Sequence, residues 1–197
     1  TSTYCDSAMN PLDLTPEQIA PAFPGAKLSN IEKFWPFVRE ALRENMLTDA
    51  ISVATALGTI AAETAGFVPI KEAPSKYNTR LRFGDLYDGR QDLGNYQHGD
   101  GGKYCGRGFP QLTGRDNYAR YGARIGVDLL GDPEQANEPH ISAQLLALFI
   151  ADRRQKIEAA AQRGDLKAIR RLVNGGLHGL DRFTKAYYAI MGALLHG

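Results

Sequence analysis

Thr48-Asp49-Ala50-Ile51-Ser52-Val53-Ala54-Thr55-Ala56-Leu57-Gly58-Thr59-Ile60-Ala61-Ala62-Glu63-Thr64-Ala65-Gly66-Phe67 reads as a buried helix with a carboxylate at its end. Thr48-Asp49 supplies a start signal, and Ile51, Val53, Ala54, Leu57, Ile60 and Ala61 leave little polar surface. Upstream, Thr15-Pro16-Glu17 marks a short helix that Pro21 and Pro24-Gly25 must soon end. Ser29-Asn30-Ile31-Glu32 has the pattern of a capping box. Ile31, Phe34, Trp35, Val38, Ala41 and Leu42 then recur at helical spacing to about Met46.

Downstream the character changes. From Gly66 to about Gly108 turn formers accumulate and periodicity fades, although a short hairpin fits within the stretch. So long a connection inside a compact domain calls for a function such as lining a cleft. Helical patterns return at about 114–124, 138–162, 165–173 and 180–195, with Ile141, Leu145, Leu148 and Phe149 sharing one face. The expectation is a mainly α domain over residues 28–197 with one long irregular insert, preceded by an extension or linker-like segment at 1–27.

Composition narrows the function classes only slightly. A net charge of +1 exerts no global pull towards nucleic acid or anionic membrane, and no apolar run approaches the ~20 residues of a span. Thr1–Asn10 lacks the basic-then-apolar layout of a signal peptide, and there is no initiator Met, which suggests an excised domain or a trimmed terminus. Cys5 and Cys105 are too few for a disulfide scaffold and lack metal-ligand spacing. They read as two thiols or one bridge, a choice that belongs to geometry. Four scattered histidines without a His-x-x-x-His pair argue against a metal site, and no serine stands in a nucleophile elbow.

Glu63 is the first residue that speaks for chemistry. At the end of an apolar helix a carboxylate loses hydration and meets the negative helix terminus, and both favour its protonated form. A neutral carboxylic acid can protonate a glycosidic oxygen, although a glutamate at a helix end also often just faces solvent. Glu72, on a separate segment in Pro69-Ile70-Lys71-Glu72-Ala73, could face it across a cleft or pair with a nearby lysine. Glycosidases need such a pair, about 5–5.5 Å apart for retention and about 6.5–9.5 Å for inversion. Asp85 and Asp88 are rivals for the second carboxylate.

Lys103-Tyr104-Cys105-Gly106-Arg107-Gly108-Phe109-Pro110-Gln111-Leu112-Thr113-Gly114-Arg115-Asp116-Asn117-Tyr118 is the most distinctive segment. Gln111, Thr113, Arg115 and Asn117 offer donors and acceptors, while Tyr104, Phe109 and Tyr118 offer ring faces. That mixture suits a sugar, and equally a turn with a satisfied polar cluster. Val173-Asn174-Gly175-Gly176-Leu177-His178-Gly179 is a tight turn in which Asn174 could face a ligand or cap a helix.

Together Glu63-Thr64-Ala65-Gly66-Phe67, Tyr104 through Tyr118, and Asn174-Gly175-Gly176 with Asp181-Arg182-Phe183 resemble glycoside hydrolase family 19, which includes plant-type chitinases and many phage endolysins. The run Tyr87-Asp88-Gly89-Arg90, Asp92-Leu93-Gly94-Asn95 and Gly99-Asp100-Gly101 looks like the phage and bacterial branch, particularly lysins of actinobacterial phages. The resemblance spans roughly residues 48–195. It implies a bilobed lysozyme-like α fold, an inverting mechanism and no cofactor or metal. Glu63 matches the general acid, and Thr113 the hydroxyl that helps hold the attacking water. Gln111, Asn117, Asn174 and Arg182 fall on positions that line the sugar cleft or support the carboxylates.

The family often has His before its catalytic Glu, where this chain has Ala62. Endolysin-like spacing selects Glu72 as second carboxylate, and plant-chitinase spacing a position nearer Asp85. The implied substrate is bacterial peptidoglycan, with chitin or non-catalytic glycan binding as alternatives. The expected protein is a monomer, alone or within a modular lysin, with no nucleic-acid partner and no membrane insertion. It would be held in the host cytoplasm until lysis and then act at the wall.

Overall fold

The computed structural model describes residues 9–73 and 86–196. The chain is mainly helical: α1 (Pro16–Ile19), α2 (Leu28–Glu44), α3 (Ala50–Glu63), α4 (Asp100–Lys103), α5 (Arg115–Ile125), α6 (Pro139–Ala151), α7 (Arg154–Gln162), α8 (Leu166–Asn174) and α9 (Leu180–His196). Among the described residues, extended pairing is confined to the isolated antiparallel bridges Lys71–Arg107 and Arg107–Leu112, and residues 74–85 of the stretch in which a hairpin was expected lie outside them.

The helix at 50–63 forms as its sequence dictates. Asp49 accepts the Ser52 N–H at 2.9 Å, satisfying one of the orphan donors of the first turn. Every residue from Ser52 to Ala62 is buried. The helix α9 packs along it, and Gly58 makes this possible, since a Cβ there would lie 3.0 Å from the Phe183 ring. Asn174 ends α8 without taking the left-handed cap, a role that falls to Gly175 at φ 75°.

Three expectations need correction. Ser29 does not cap α2, which starts two residues earlier than such a cap implies, at Leu28, and Asn30 instead donates to the Gly66 carbonyl at 3.0 Å. The 138–162 pattern is two helices, broken at Asp152-Arg153. The segment before residue 28 is no linker over its described part. Leu12, Leu14, Ile19, Ala22 and Phe23 enter the main core, and the Trp35 indole N–H donates to the Leu14 carbonyl at 2.9 Å. Its apolar residues were legible, but the prolines between them masked their common face.

Two apolar cores result among the described residues. The larger is built on α2, α3, α6 and α9, and the smaller on Tyr104, Leu112, Tyr118, Tyr121, Leu129, Ala136 and Leu145. The helix α6 serves both: Ala143, Leu146, Ala147 and Ile150 face the first, while Leu145, Ile141, Leu148 and Phe149 face the second. The face shared by Ile141, Leu145, Leu148 and Phe149 is thus the one buried in the smaller core. Among the described residues no helix is long and apolar enough to cross a membrane.

Candidate active site

Glu63 is the last residue of α3, and its side chain is only 9% exposed. Its Oε1 accepts a hydrogen bond from Arg170 of α8, a guanidinium with no exposure at all. The Nε of Arg170 donates to the His178 carbonyl at 2.8 Å, so one side chain ties the end of α3 to the α8–α9 turn. That turn comes close because residue 179 is glycine, at φ 69°. A Cβ there would meet both the Ala62 Cβ and its carbonyl oxygen at 3.1 Å. Arg182 completes the clamp by donating to the Ala62 carbonyl at 2.8 Å. With the turn this near, Ala62 is 1% exposed.

Glu72 is positioned from the opposite segment. Its backbone N–H donates to the Gly106 carbonyl at 2.7 Å, and its Oε2 accepts the Gly106 N–H at 3.1 Å. Its Oε1 accepts the Tyr87 hydroxyl at 3.0 Å. Burial, then the charge of Glu72 and that hydrogen bond, push the Tyr87 hydroxyl up to about 12, which keeps it a donor. Asp88 is spent on structure. It accepts the Gly99 and Gly101 N–H groups at 2.9 and 2.6 Å, which hold its carboxyl below the usual range. Asp85 lies outside the described residues, as does Cys5; Cys105 is buried.

The 103–118 segment works as a scaffold with one functional edge. Arg107, 2% exposed, donates to the carbonyls of Lys103 and Cys105, the Tyr118 hydroxyl and the Glu134 carboxylate. The turn it anchors puts Gln111 at φ 52°, where its amide donates to the Ile70 carbonyl at 2.8 Å and to the Gly108 carbonyl at 2.9 Å. Gln111 therefore straps the Glu72 segment in place. Thr113 donates to the Gln111 carbonyl at 2.9 Å, and Asn117 to the Thr113 carbonyl at 2.8 Å.

Tyr104 is a correction. It is 2% exposed, packs on Tyr118 at 5.3 Å between ring centroids, and belongs to the smaller core rather than to a sugar-facing surface. Phe109 and Tyr118 are equally buried, so none of the three rings can stack on a ligand.

A cleft of about 520 Å³ joins Glu63, Glu72, Gln111, Thr113, Asn174 and Arg182. Its wall also holds Tyr87 and His178, neither of which sequence reasoning placed there. Gln111, Thr113 and Asn174 also border an adjoining space of about 460 Å³ that takes in Asn117. Arg170 was missed for a physical reason. A lone arginine on an amphipathic helix has no local mark that it turns inward. Two carboxylates from separate segments opening on one cleft are the equipment of acid–base glycoside cleavage.

No family model matches the chain. A Haemophilus influenzae protein named as a glycosyl hydrolase family 19 domain-containing protein is 35% identical over 107 residues, 54% of this chain and 50% of its own length. The match thus spans about half the length of that curated relative. Chitinase C from Streptomyces griseus superposes with a TM-score of 0.58 at 18% identity, covering 91% of this chain and 76% of its own. A chitinase C point mutant superposes at 0.63, also at 18% identity, covering 90% of this chain and 92% of its own. The chain therefore has the mainly α fold of chitinase C, and about half of it is similar to a protein named for a glycosyl hydrolase family 19 domain.

Proposed function

We propose that this protein is an inverting glycoside hydrolase that cuts β-1,4 bonds in the glycan strands of bacterial peptidoglycan. The observation that carries the reading is the pairing of Glu63 and Glu72 across one cleft, each held by a different set of partners. Glu63 protonates the leaving oxygen as general acid. Glu72 takes a proton from water attacking the opposite face of the sugar. Thr113 gives its own proton to the Gln111 carbonyl and so keeps lone pairs with which to orient that water. Asn174, Asn117 and Arg182 contribute polar edges to the sugar-binding surface.

Chitin is the second reading, favoured by the chitinase names of the structural neighbours. On the first reading the chain is an endolysin-type module that reaches the wall when the cell is lysed, as the likeness to the phage branch implies.

The deciding experiment measures reducing-end release from purified peptidoglycan and from chitin oligosaccharides by wild type, Glu63→Gln and Glu72→Gln, with products identified by mass. Both variants are expected to lose about 10²–10⁴-fold in kcat on peptidoglycan, as removal of a general acid or base does. Full activity of Glu63→Gln would overturn the mechanism. Release from chitin alone would move the substrate, and binding without release would make the chain a glycan-binding module.

A further inference from the structure

Beyond Gln111, Thr113 and Asn174 the cleft changes its electrostatic character. The adjoining space of about 460 Å³ is lined by Arg153 and Arg171, and no Asp or Glu among the described residues takes part in its wall. Arg153 is fixed in place. Its Nη1 donates to the Phe149 carbonyl at 3.1 Å and lies 3.4 Å from the Tyr121 hydroxyl, while its guanidinium carbon sits 4.9 Å from the Phe149 ring centroid. Neither Arg153 nor Arg171 forms an ion pair among the described residues. The nearest acid in sequence, Asp152, is engaged by Arg124 at 2.6 Å and by the Tyr121 hydroxyl at 3.1 Å. Arg171 also borders a shallow depression shared with Lys156 and Arg163, again without a carboxylate in its described wall. One groove thus carries acids where bonds would break and, further along, two arginines that form no ion pair among the described residues, although the charge of Arg153 still acts on Asp152.

A neutral chitin strand offers such cations only hydroxyls and acetamido groups. A peptidoglycan strand carries, on every second sugar, a stem peptide with free carboxylates, which planar guanidinium groups bind through paired charge-assisted hydrogen bonds. We propose that Arg153 and Arg171 form a carboxylate-recognition site in the extension of the cleft. The site takes the acidic stem peptide and selects peptidoglycan over neutral glycan. The inference rests on the reading of the cleft as a glycan site and names the groups that set its specificity.

The test compares kcat/KM on peptidoglycan oligomers with free stem carboxylates and on the same oligomers with those carboxylates amidated. Wild type is expected to favour the free carboxylates by about tenfold, because two partly exposed charge contacts each amount to a few-fold. The Arg153→Gln/Arg171→Gln double variant is expected to lose that ratio, and the double Lys variant to keep part of it. High salt should shrink the wild-type ratio as well. No wild-type preference, or an unchanged ratio in the double Gln variant, overturns the proposal. If no oligomer is cut, the catalytic reading fails by itself. Binding of the same two oligomers then judges the site: tighter binding of the free acid that depends on both arginines supports it, and equal binding overturns it.

Discussion

At the scale of single residues, Glu63 and Glu72 are held by neighbours whose geometry leaves little tolerance. Gly106 is the tightest case, since a Cβ there would fall 2.8 Å from the Gln111 Oε1 and 3.1 Å from the Glu72 Oε2. Gly106→Ala is therefore expected to lower kcat by about tenfold or more while the fold, followed by circular dichroism, persists. Arg170→Lys keeps a charge but loses the fork that reaches both Glu63 and the His178 carbonyl. Its kcat should also fall by about tenfold, with thermal unfolding reporting a smaller loss. Tyr87 provides a test in pH. Its hydroxyl is raised from 10.0 to about 12, so its contribution to stability is complete below the unfolded value and disappears as pH climbs through the folded one. Ultraviolet titration should show a phenol ionising near pH 12 that is absent from Tyr87→Phe; a Tyr87 that instead ionises near the ordinary 10.0 would refute its burial beside Glu72.

At the scale of elements, α3 follows from its own sequence because its start signal and its apolar faces agree. Asp49→Ala removes an N-cap and should cost about 1 kcal/mol in a denaturant melt. Gly58→Ala should cost about 1–3 kcal/mol, since the new methyl meets the Phe183 ring at 3.0 Å and its carbonyl at 3.2 Å. Other elements were legible in kind but not in detail. Ser29-Asn30-Ile31-Glu32 carries a capping pattern, yet Asn30 is drawn into a tertiary bond with Gly66, and the helix opens without a side-chain cap. The 103–118 segment was recognisable as special, but the destination of each ring was not. A tyrosine suits a core with a polar exit as well as a sugar platform, and Tyr104 finds that exit at the Leu130 carbonyl.

At the scale of the whole molecule, the segment before α2 is part of the domain rather than a leader to it. Phe23 is 2% exposed and lies 4.7 Å from Phe67 between ring centroids. Phe23→Ala should therefore cost about 3–5 kcal/mol of global stability, whereas replacing a true linker residue would leave the melt unchanged. The sequence by itself determined a mainly helical chain, the buried helix ending in Glu63, the long insert, and a set of polar residues of which Gln111, Thr113, Asn117, Asn174 and Arg182 border the cleft or its extension. The helices, the insert and most of the polar set are written in local periodicity, caps and short motifs, which need no knowledge of distant neighbours, whereas Arg182 was singled out only by the family resemblance. Only the tertiary structure brought Glu72 to the same cleft as Glu63, turned Arg170 inward as its partner, buried Tyr104 and lined the adjoining space with Arg153 and Arg171. Each of those outcomes depends on contacts between segments far apart in the chain, and no local pattern specifies where such segments meet.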